Sequence, residues 1–432
     1  MNDVFTSQPQ QPPQQQQQLQ QQQQNVDPAV YQPLINYNTS LERAFLSKDA
    51  KTAISLLRLT STAANAATQI YLKYGGPLPK QLPDPWTELP SITQSRFLTT
   101  AAIVSDNWEQ ASHHLGEAFQ KIITAVREDT KWSTPIMHGM ASDLRTLSIE
   151  ADIVLRQSYQ TPYCLEQAER LLKKGFTFLA NDRNPIEISK KEDMLEMANQ
   201  LFKIYFKMNN LRLCSTIIGP IQRLPQFEET FDEKYGTSQR VTYRYFRGRL
   251  ALYDENFSRA IEDLEYAFRN TPSELIKNRK LILMYLVPAK MFKGVLPKRE
   301  LLDKYEIDPF KGIVDSIRKG NIYLFEESLQ EYEMFFIKKA LYLALTRLQY
   351  MVYRTLIMRI WKMGGEASRV RIDTVVECLN EVVGKVISRD SVECILANLI
   401  YKRFIRGYIA HVQGFLVLSK KTPFPPISTI TT

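Results

Sequence analysis

At 432 residues the chain exceeds what one compact core usually holds, so an elongated body or roughly two to three domains is expected. Hydrophobic residues at 44% and aromatics at 11% exclude general disorder, and only 16 glycines argue against a fold built on phosphate-cradling turns or many hairpins. The formal charge of +9 suits a polyanion or an acidic protein partner without requiring either.

Residues 1 to about 33 are nearly all Gln and Pro, with too little to bury to offset their ordering entropy, so folded structure is expected to begin near Leu34. From there to about Arg359 the apolar pattern has a helical period. Trp108, Ala111, Leu115, Ala118 and Phe119 share one spacing, which Leu165, Ala168, Leu172 and Phe176 repeat, as do Leu211, Cys214, Ile218 and Ile221. The clearest unit is GRLALYDENFSRAIEDLEYAFRNTP, Gly248 to Pro272. It fits a divergent tetratricopeptide repeat, with Gly248 at a close helix approach, Phe257, Ala260, Leu264, Ala267 and Phe268 on the second helix, and Pro272 as the stop. Arg244 and Arg247 stand where that pattern has Trp and Leu. The small positions 111, 168, 214 and 260 recur at intervals of 57, 46 and 46, which points to a two-helix solenoid rather than an ordinary bundle. GGPLPKQLPDPW, Gly75 to Trp86, carries too many prolines for a helix and reads as a surface connection.

The C-terminal region changes period. A helix over Asp373 to Val383 precedes a second from Val392 to about Lys402, with N-cap residues in Ser388-Arg389-Asp390-Ser391. GYIAH (Gly407 to His411) and FLVLSK (Phe415 to Lys420) flank a turn at Val412-Gln413-Gly414 and predict a hairpin. Helix, helix, hairpin after a further helix is the order of a winged helix. The predicted fold is therefore an all-α, tetratricopeptide- or HEAT-like helical-repeat solenoid capped by a winged helix with a small β-hairpin wing.

Enzymatic motifs are missing. Cys164, Cys214, Cys378 and Cys394 form no CxxC pair and read as buried hydrophobes in a reducing compartment. His113, His114, His138 and His411 make no HExxH helix, and no phosphate-binding loop, GxGxxG or GxSxG occurs. Neither cofactor nor metal is expected. No signal peptide or membrane span is read, so the chain is expected to be soluble and intracellular.

The positive signal is charge. From Lys385 to Lys421 seven basic residues, Lys385, Arg389, Lys402, Arg403, Arg406, Lys420 and Lys421, face only Asp390 and Glu393. Lys and Arg at the helix end and wing of a winged helix can neutralise phosphates, so Arg389, Lys402, Arg403, Arg406, Lys420 and Lys421 are the candidate nucleic-acid residues. A solubilising rim on a protein-stacking domain gives the same pattern. A second cluster, Arg240, Arg244, Arg247 and Arg249 among Tyr243, Tyr245 and Phe246, fits either single-strand binding or aromatic core with arginine stems around it.

NQLFKIYFKMNNLRLC (Asn199 to Cys214), SQRVTYRYFRGR (Ser238 to Arg249), LILMYLVPAKM (Leu281 to Met291), VECILANLIYKRFIRGYIAH (Val392 to His411) and the ending KTPFPPIS together resemble the PCI-domain-containing protein two family. Within the PCI proteins this group includes subunits of the transcription-and-export complex. The resemblance covers roughly residues 140 to 428. Composition, periodicity and the resemblance together divide the chain into a disordered Gln/Pro-rich tail at 1–33, N-terminal helical repeats at 34–215, a PCI helical-repeat part at 216–365, a winged helix at 366–421 and a flexible tail at 422–432. The resemblance further implies a non-catalytic nuclear scaffold, associated with the nuclear pore, that couples transcription to messenger-RNA export. Its implied partners are a large scaffold subunit, a small acidic subunit, and RNA or DNA without sequence preference. A signalosome- or splicing-associated PCI subunit acting only through protein contacts is the alternative. Arg403 departs from the pattern, occupying a post-helix position where the family commonly has glycine.

Overall fold

The computed structural model describes residues 27–185, 188–224, 227–384 and 386–430. Most of the expected Gln/Pro-rich tail, and Lys385, lie outside them. The chain divides into two compact units, Met1–Lys234 and Tyr235–Thr432.

The first unit opens with a 3-10 turn at Pro28–Tyr31, and its helices are α1 (Gln32–Leu46), α2 (Ala50–Leu57), α3 (Thr62–Tyr74), α4 (Leu89–Val104), α5 (Trp108–Glu128), α6 (Thr134–Gln157), α7 (Cys164–Ala180), α8 (Met194–Lys207), α9 (Arg212–Gln222) and α10 (Phe227–Lys234). From α4 to α10 each packs mainly on the next, the sequential contact pattern of a solenoid. Two predicted apolar stripes are packed: Ala111, Leu115, Ala118 and Phe119 of α5, and Leu165, Ala168, Leu172 and Phe176 of α7, are all buried, with Trp108 half-buried. Of the third, Cys214 and Ile221 are buried, whereas Leu211 and Ile218 are half-buried and Ile217 takes the inner place. α9 and α10 continue this stack, so the first compact unit runs through residues 216–234 to Lys234. The proline-rich connection after α3 ends in buried Trp86, whose ring packs on Phe45 and Trp132 while Asp129 accepts both indole N–H groups, at 2.6 and 3.0 Å.

The second unit comprises α11 (Thr237–Tyr253), α12 (Phe257–Arg269), α13 (Ile276–Phe292), α14 (Arg299–Lys304), α15 (Lys311–Lys319), α16 (Ile322–Glu331), α17 (Glu333–Lys338), α18 (Tyr342–Thr346) and α19 (Gln349–Met363). It ends with β1 (Arg369–Arg371), α20 (Ile372–Val383), α21 (Arg389–Tyr401), β2 (Gly407–Ala410) and β3 (Phe415–Leu418). α11 and α12 form the predicted repeat. A Cβ on Gly248 would stand 2.7 Å from Leu264 Cγ and 3.2 Å from Asp263 Cβ, so this crossing closes only over glycine. The arginines in place of Trp and Leu point inward. Arg244 Nη1 lies 2.8 Å from Asp263 Oδ1, and Arg247 Nε lies 2.7 Å from Asp263 Oδ2, with Asp263 fully buried. Of the two readings of the arginine–aromatic cluster, the structure supports core.

One turn recurs through both units. At Lys48-Asp49, Asp106-Asn107, Glu255-Asn256 and Gly320-Asn321 a left-handed residue precedes an Asp or Asn that caps the next helix with its side chain. In each, the cap residue's N–H reaches back five residues to the carbonyl of a small residue, Ala44, Ala102, Ala251 or Ser316, at 2.8–3.0 Å. At these four reversals a left-handed residue, a backward backbone bond and a side-chain cap act together.

β1, α20, α21, β2 and β3 form the winged helix, with an antiparallel sheet in the order β1-β3-β2. β1, absent from the predicted elements, pairs Arg369, Val370 and Arg371 with Val417, Leu416 and Phe415. Residues 422–430, expected to be a flexible tail, are packed: Phe424 lies 5.4 Å from the Trp361 ring, Ile430 is buried, and Arg354 Nη2 donates to Pro425 O at 2.8 Å.

Candidate functional site

The winged helix places the candidate cations by its backbone. α21 stops at Tyr401 because Arg403 turns left-handed at φ 63°. Its N–H then bonds Ile400 O at 2.9 Å and that of Phe404 bonds Leu399 O at 2.9 Å, a Schellman stop. This is the position singled out as glycine-favouring. Arg403→Gly should relieve the left-handed cost and raise stability by about 0.5–1 kcal/mol, read as a melting temperature higher by roughly 2 °C. An unchanged or lower value contradicts the strained turn.

After the stop the chain enters β2, and Gly407 pairs with Leu418. Ser419 N–H bonds Arg406 O at 2.9 Å, Arg406 N–H bonds Pro423 O at 2.8 Å, and Arg406 Nη1 donates to Thr422 Oγ1 at 2.7 Å. These bonds set residues 402–406 beside residues 419–423. Lys402, Arg403, Arg406, Lys420 and Lys421 are thereby gathered at one end of the domain, all exposed. The Lys402 ammonium sits 5.0 Å over the Tyr350 ring. Among the described residues none of the five has an ion pair, and the sequence from Cys394 to Thr432 contains no Asp or Glu to supply one.

Arg389 is set apart. It begins α21, so the helix's 13 residues separate it from Lys402 by about 20 Å. Its Nε bonds Glu393 Oε1 at 3.0 Å and its Nη2 bonds His411 O at 3.1 Å, while His411 Nδ1 lies 2.6 Å from Glu393 Oε2. Contact with His411, and then Arg389, holds the Glu393 carboxyl below the usual carboxylate range. Arg389 and Glu393 therefore brace the hairpin tip against the helix.

Three residues of this surface were not among the candidates. Arg369 and Arg371 are exposed on β1, and Tyr408, 62% exposed, shares a sheet row with Val417 and Arg369. The period-two signature of Arg369-Val370-Arg371 was available but spans only three residues. By contrast, the exposed face of α21, Asp390, Ser391, Cys394, Ala397 and Tyr401, carries no cation. Beyond Arg389 at its start, which is bonded to Glu393 and His411, the helix has no Lys or Arg to present to a groove of duplex DNA, so any phosphate contact here is made by the helix end and the wing.

The histidines do not assemble a catalytic group. His138 is half-buried, and desolvation pushes its imidazole down to about 4. Asp143 accepts from Arg58 Nε at 2.8 Å and Leu59 N–H at 2.9 Å, fixing the α2–α3 connection. Among the described residues His113, His114 and Glu117 alone bring metal-ligand atoms together, within 4.8 Å on the α5 surface. His114 lies 3.4 Å and His113 3.9 Å from Glu117, the spacing of ordinary helix-face ion pairs. Among the described residues no helix is long and apolar enough to cross a membrane.

Comparison with known proteins agrees with this architecture. The PCI domain family profile matches residues 329–420, which span α17 to β3 and so hold the winged helix and the helices leading into it. PCI domain-containing protein 2 of Xenopus laevis is 37% identical over 73% of this chain and 78% of its own length. Its Dictyostelium discoideum homolog is 37% identical over 72% and 74%. A Neurospora crassa protein named Protein CSN12 homolog is 30% identical over 68% and 72%. With its helical repeats, its C-terminal winged helix and this extent of similarity, the chain belongs to the PCI domain-containing protein 2 family.

Proposed function

We propose that the chain is a non-catalytic PCI scaffold subunit of a nuclear complex that couples transcription to messenger-RNA export. On this reading its winged helix joins that of a large scaffold subunit, a small acidic subunit braces the assembly, and the combined surface binds RNA or DNA without sequence preference. The site of action is the nucleus, at the nuclear pore. The observation that carries the nucleic-acid part is the convergence of Lys402, Arg403, Arg406, Lys420 and Lys421 at one end of the winged helix, with no acidic residue after Glu393. Unpaired exposed cations held on a rigid scaffold bind phosphates by counterion release and read no bases.

The test is fluorescence anisotropy of the full-length chain with a labelled single-stranded RNA across a salt series. Reversing Lys402, Arg403, Lys420 and Lys421 to Glu should weaken binding more than about a hundredfold near 50 mM salt and reduce the salt slope by about 3. Binding that survives this change, or no binding by the unmodified chain, removes nucleic acid from the proposal. A second reading rests on the cation-free exposed face of α21, whose Cys394, Ala397 and Tyr401 suit packing against protein. It makes the chain a signalosome- or splicing-associated subunit acting through protein contacts alone. There the charge reversal leaves assembly intact, while an Ala397→Glu change on that face abolishes it.

A further inference from the structure

The first unit carries a basic surface distinct from the winged helix. A groove of about 730 Å³ is lined by Arg127 from the end of α5, by Arg170, Lys173, Lys174 and Phe178 from α7, and by Arg183 in the following loop. The five cations are exposed, and among the described residues none has an ion pair; Lys174 Nζ reaches only Gln120 Oε1, at 3.4 Å. Two carboxylates also line the groove, and both are turned to internal work. Glu169 Oε1 accepts from Tyr205 OH at 2.8 Å. Asp182 accepts from Lys190 N–H at 2.6 Å, from Asn184 N–H at 3.2 Å and from Ser189 Oγ at 3.2 Å. Five cations against two occupied carboxylates leave a net positive concavity.

A further cation lies beneath it. Lys190 is buried, its ammonium donates to Val126 O at 2.7 Å and Arg127 O at 3.2 Å, and it lies 5.3 Å from the Phe178 ring centre. This contact fixes the loop that carries Arg183 against the C-terminus of α5, so the cations stand on tied elements. Along α7, Arg170 stands about one helical turn, roughly 5 Å of rise, before the adjacent Lys173 and Lys174. The partly buried Phe178 ring adds an aromatic surface among these charges, and single-strand sites combine basic grooves with aromatic side chains.

We infer that this groove is a second nucleic-acid site, which takes the phosphate backbone of single-stranded RNA or DNA along α7. It stands independently of the wing: the cations belong to different elements of a different compact unit. A chain with both carries two separate phosphate-binding surfaces, each contributing to the salt dependence of binding.

The experiment uses the full-length chain, a labelled 30-nucleotide oligouridine and anisotropy at several salt concentrations. Two groove variants are compared, Arg170→Ala with Lys173→Ala, and Arg170→Glu with Lys173→Glu, alongside the wing reversal. Both groove pairs change exposed positions on one helix, and circular dichroism checks that helix content and melting are retained; the alanine pair decides if the glutamate pair unfolds. The proposal expects about a tenfold or greater loss for the alanine pair near 50 mM salt, a larger loss for the glutamate pair, and a salt slope lower by about 1.4. These losses should add to those of the wing variant. Wild-type binding by both folded groove variants overturns the inference while leaving the wing reading intact. Loss in the groove variants with none in the wing variant does the reverse. An acidic peptide such as oligoglutamate that binds the groove, while oligouridine does not, overturns it as well.

Discussion

Asp263→Ala should cost the second unit about 3–5 kcal/mol, the usual penalty for breaking a buried ion pair from one side. Asp263 has no solvent exposure, and its two oxygens take Arg244 Nη1 at 2.8 Å, Arg247 Nε at 2.7 Å and Arg247 Nη2 at 2.5 Å, with Arg259 Nε at 3.4 Å. Removing the carboxylate takes from Arg244 and Arg247 the buried anion that both bond between α11 and α12. Arg244 and Arg247 also lie 5.1 and 5.2 Å from the Tyr266 and Tyr243 rings, so they cannot swing out to water without opening that layer. Chemical denaturation of the full chain checks the effect, with a second measurement on Asp263→Asn, which keeps shape but loses charge. If Asn is tolerated within about 1 kcal/mol, hydrogen bonding rather than ionic compensation holds the pair.

The second large effect is expected from Gly407→Val. A Cβ on Gly407 would stand 2.2 Å from Val417 O and 3.2 Å from Leu418 Cα, both backbone atoms of the partner strand that have little room to yield. Overpacking against a backbone costs about 1–3 kcal/mol where it can relax. Here relaxation means separating β2 from β3, and with it residues 402–406 from residues 419–423. The predicted result is local: amide exchange across 407–418 rises by more than about a hundredfold. Nucleic-acid binding through the wing should fall with it, while α4–α9 keep their protection. Protection of the hairpin at the level of the unmodified chain would show that the β2–β3 approach at Gly407 is looser than described.

Much of the fold was legible because solenoid helices bury simple stripes. The spacing of Ala111, Leu115 and Phe119, repeated at Ala168, Leu172 and Phe176, was enough to place two inner helices, and all six residues are buried. Gly248 and Arg403 were also readable, since each marks a backbone condition rather than a contact. The misses have physical causes. β1 has three residues, too few for alternation to stand out from loop, although its register with β3 fixes where Arg369 and Arg371 sit. Asp263 looks like any surface acid on an amphipathic helix, because its partners lie 16 and 19 residues earlier on α11. The C-terminal prolines suggested a free tail, but Phe424 and Ile430 between and after them are apolar enough to dock. The left-handed turn before Asp49, Asn107, Asn256 and Asn321 was not legible, because small-x4-Asp also occurs at Ser258–Asp263 and Ser368–Asp373, where the acid lies within a helix.

The candidate site was partly legible. The C-terminal charge imbalance is a property of sequence, but the β2–β3 register gathers five of the cations, while the length of α21 sets Arg389 apart from them. The α7 groove could not be read at all, since Arg127 and Arg183 come together only through the packing of α5, α7 and the loop anchored by Lys190.

The central claim, a scaffold held in an export complex by its winged helix, is tested most directly by purifying the tagged full-length chain from nuclear extract and identifying what accompanies it in near-equal amount. The account predicts a large PCI scaffold subunit together with a small, strongly acidic subunit, both lost with Gly407→Val. Recovery of signalosome or splicing subunits without that scaffold would contradict it.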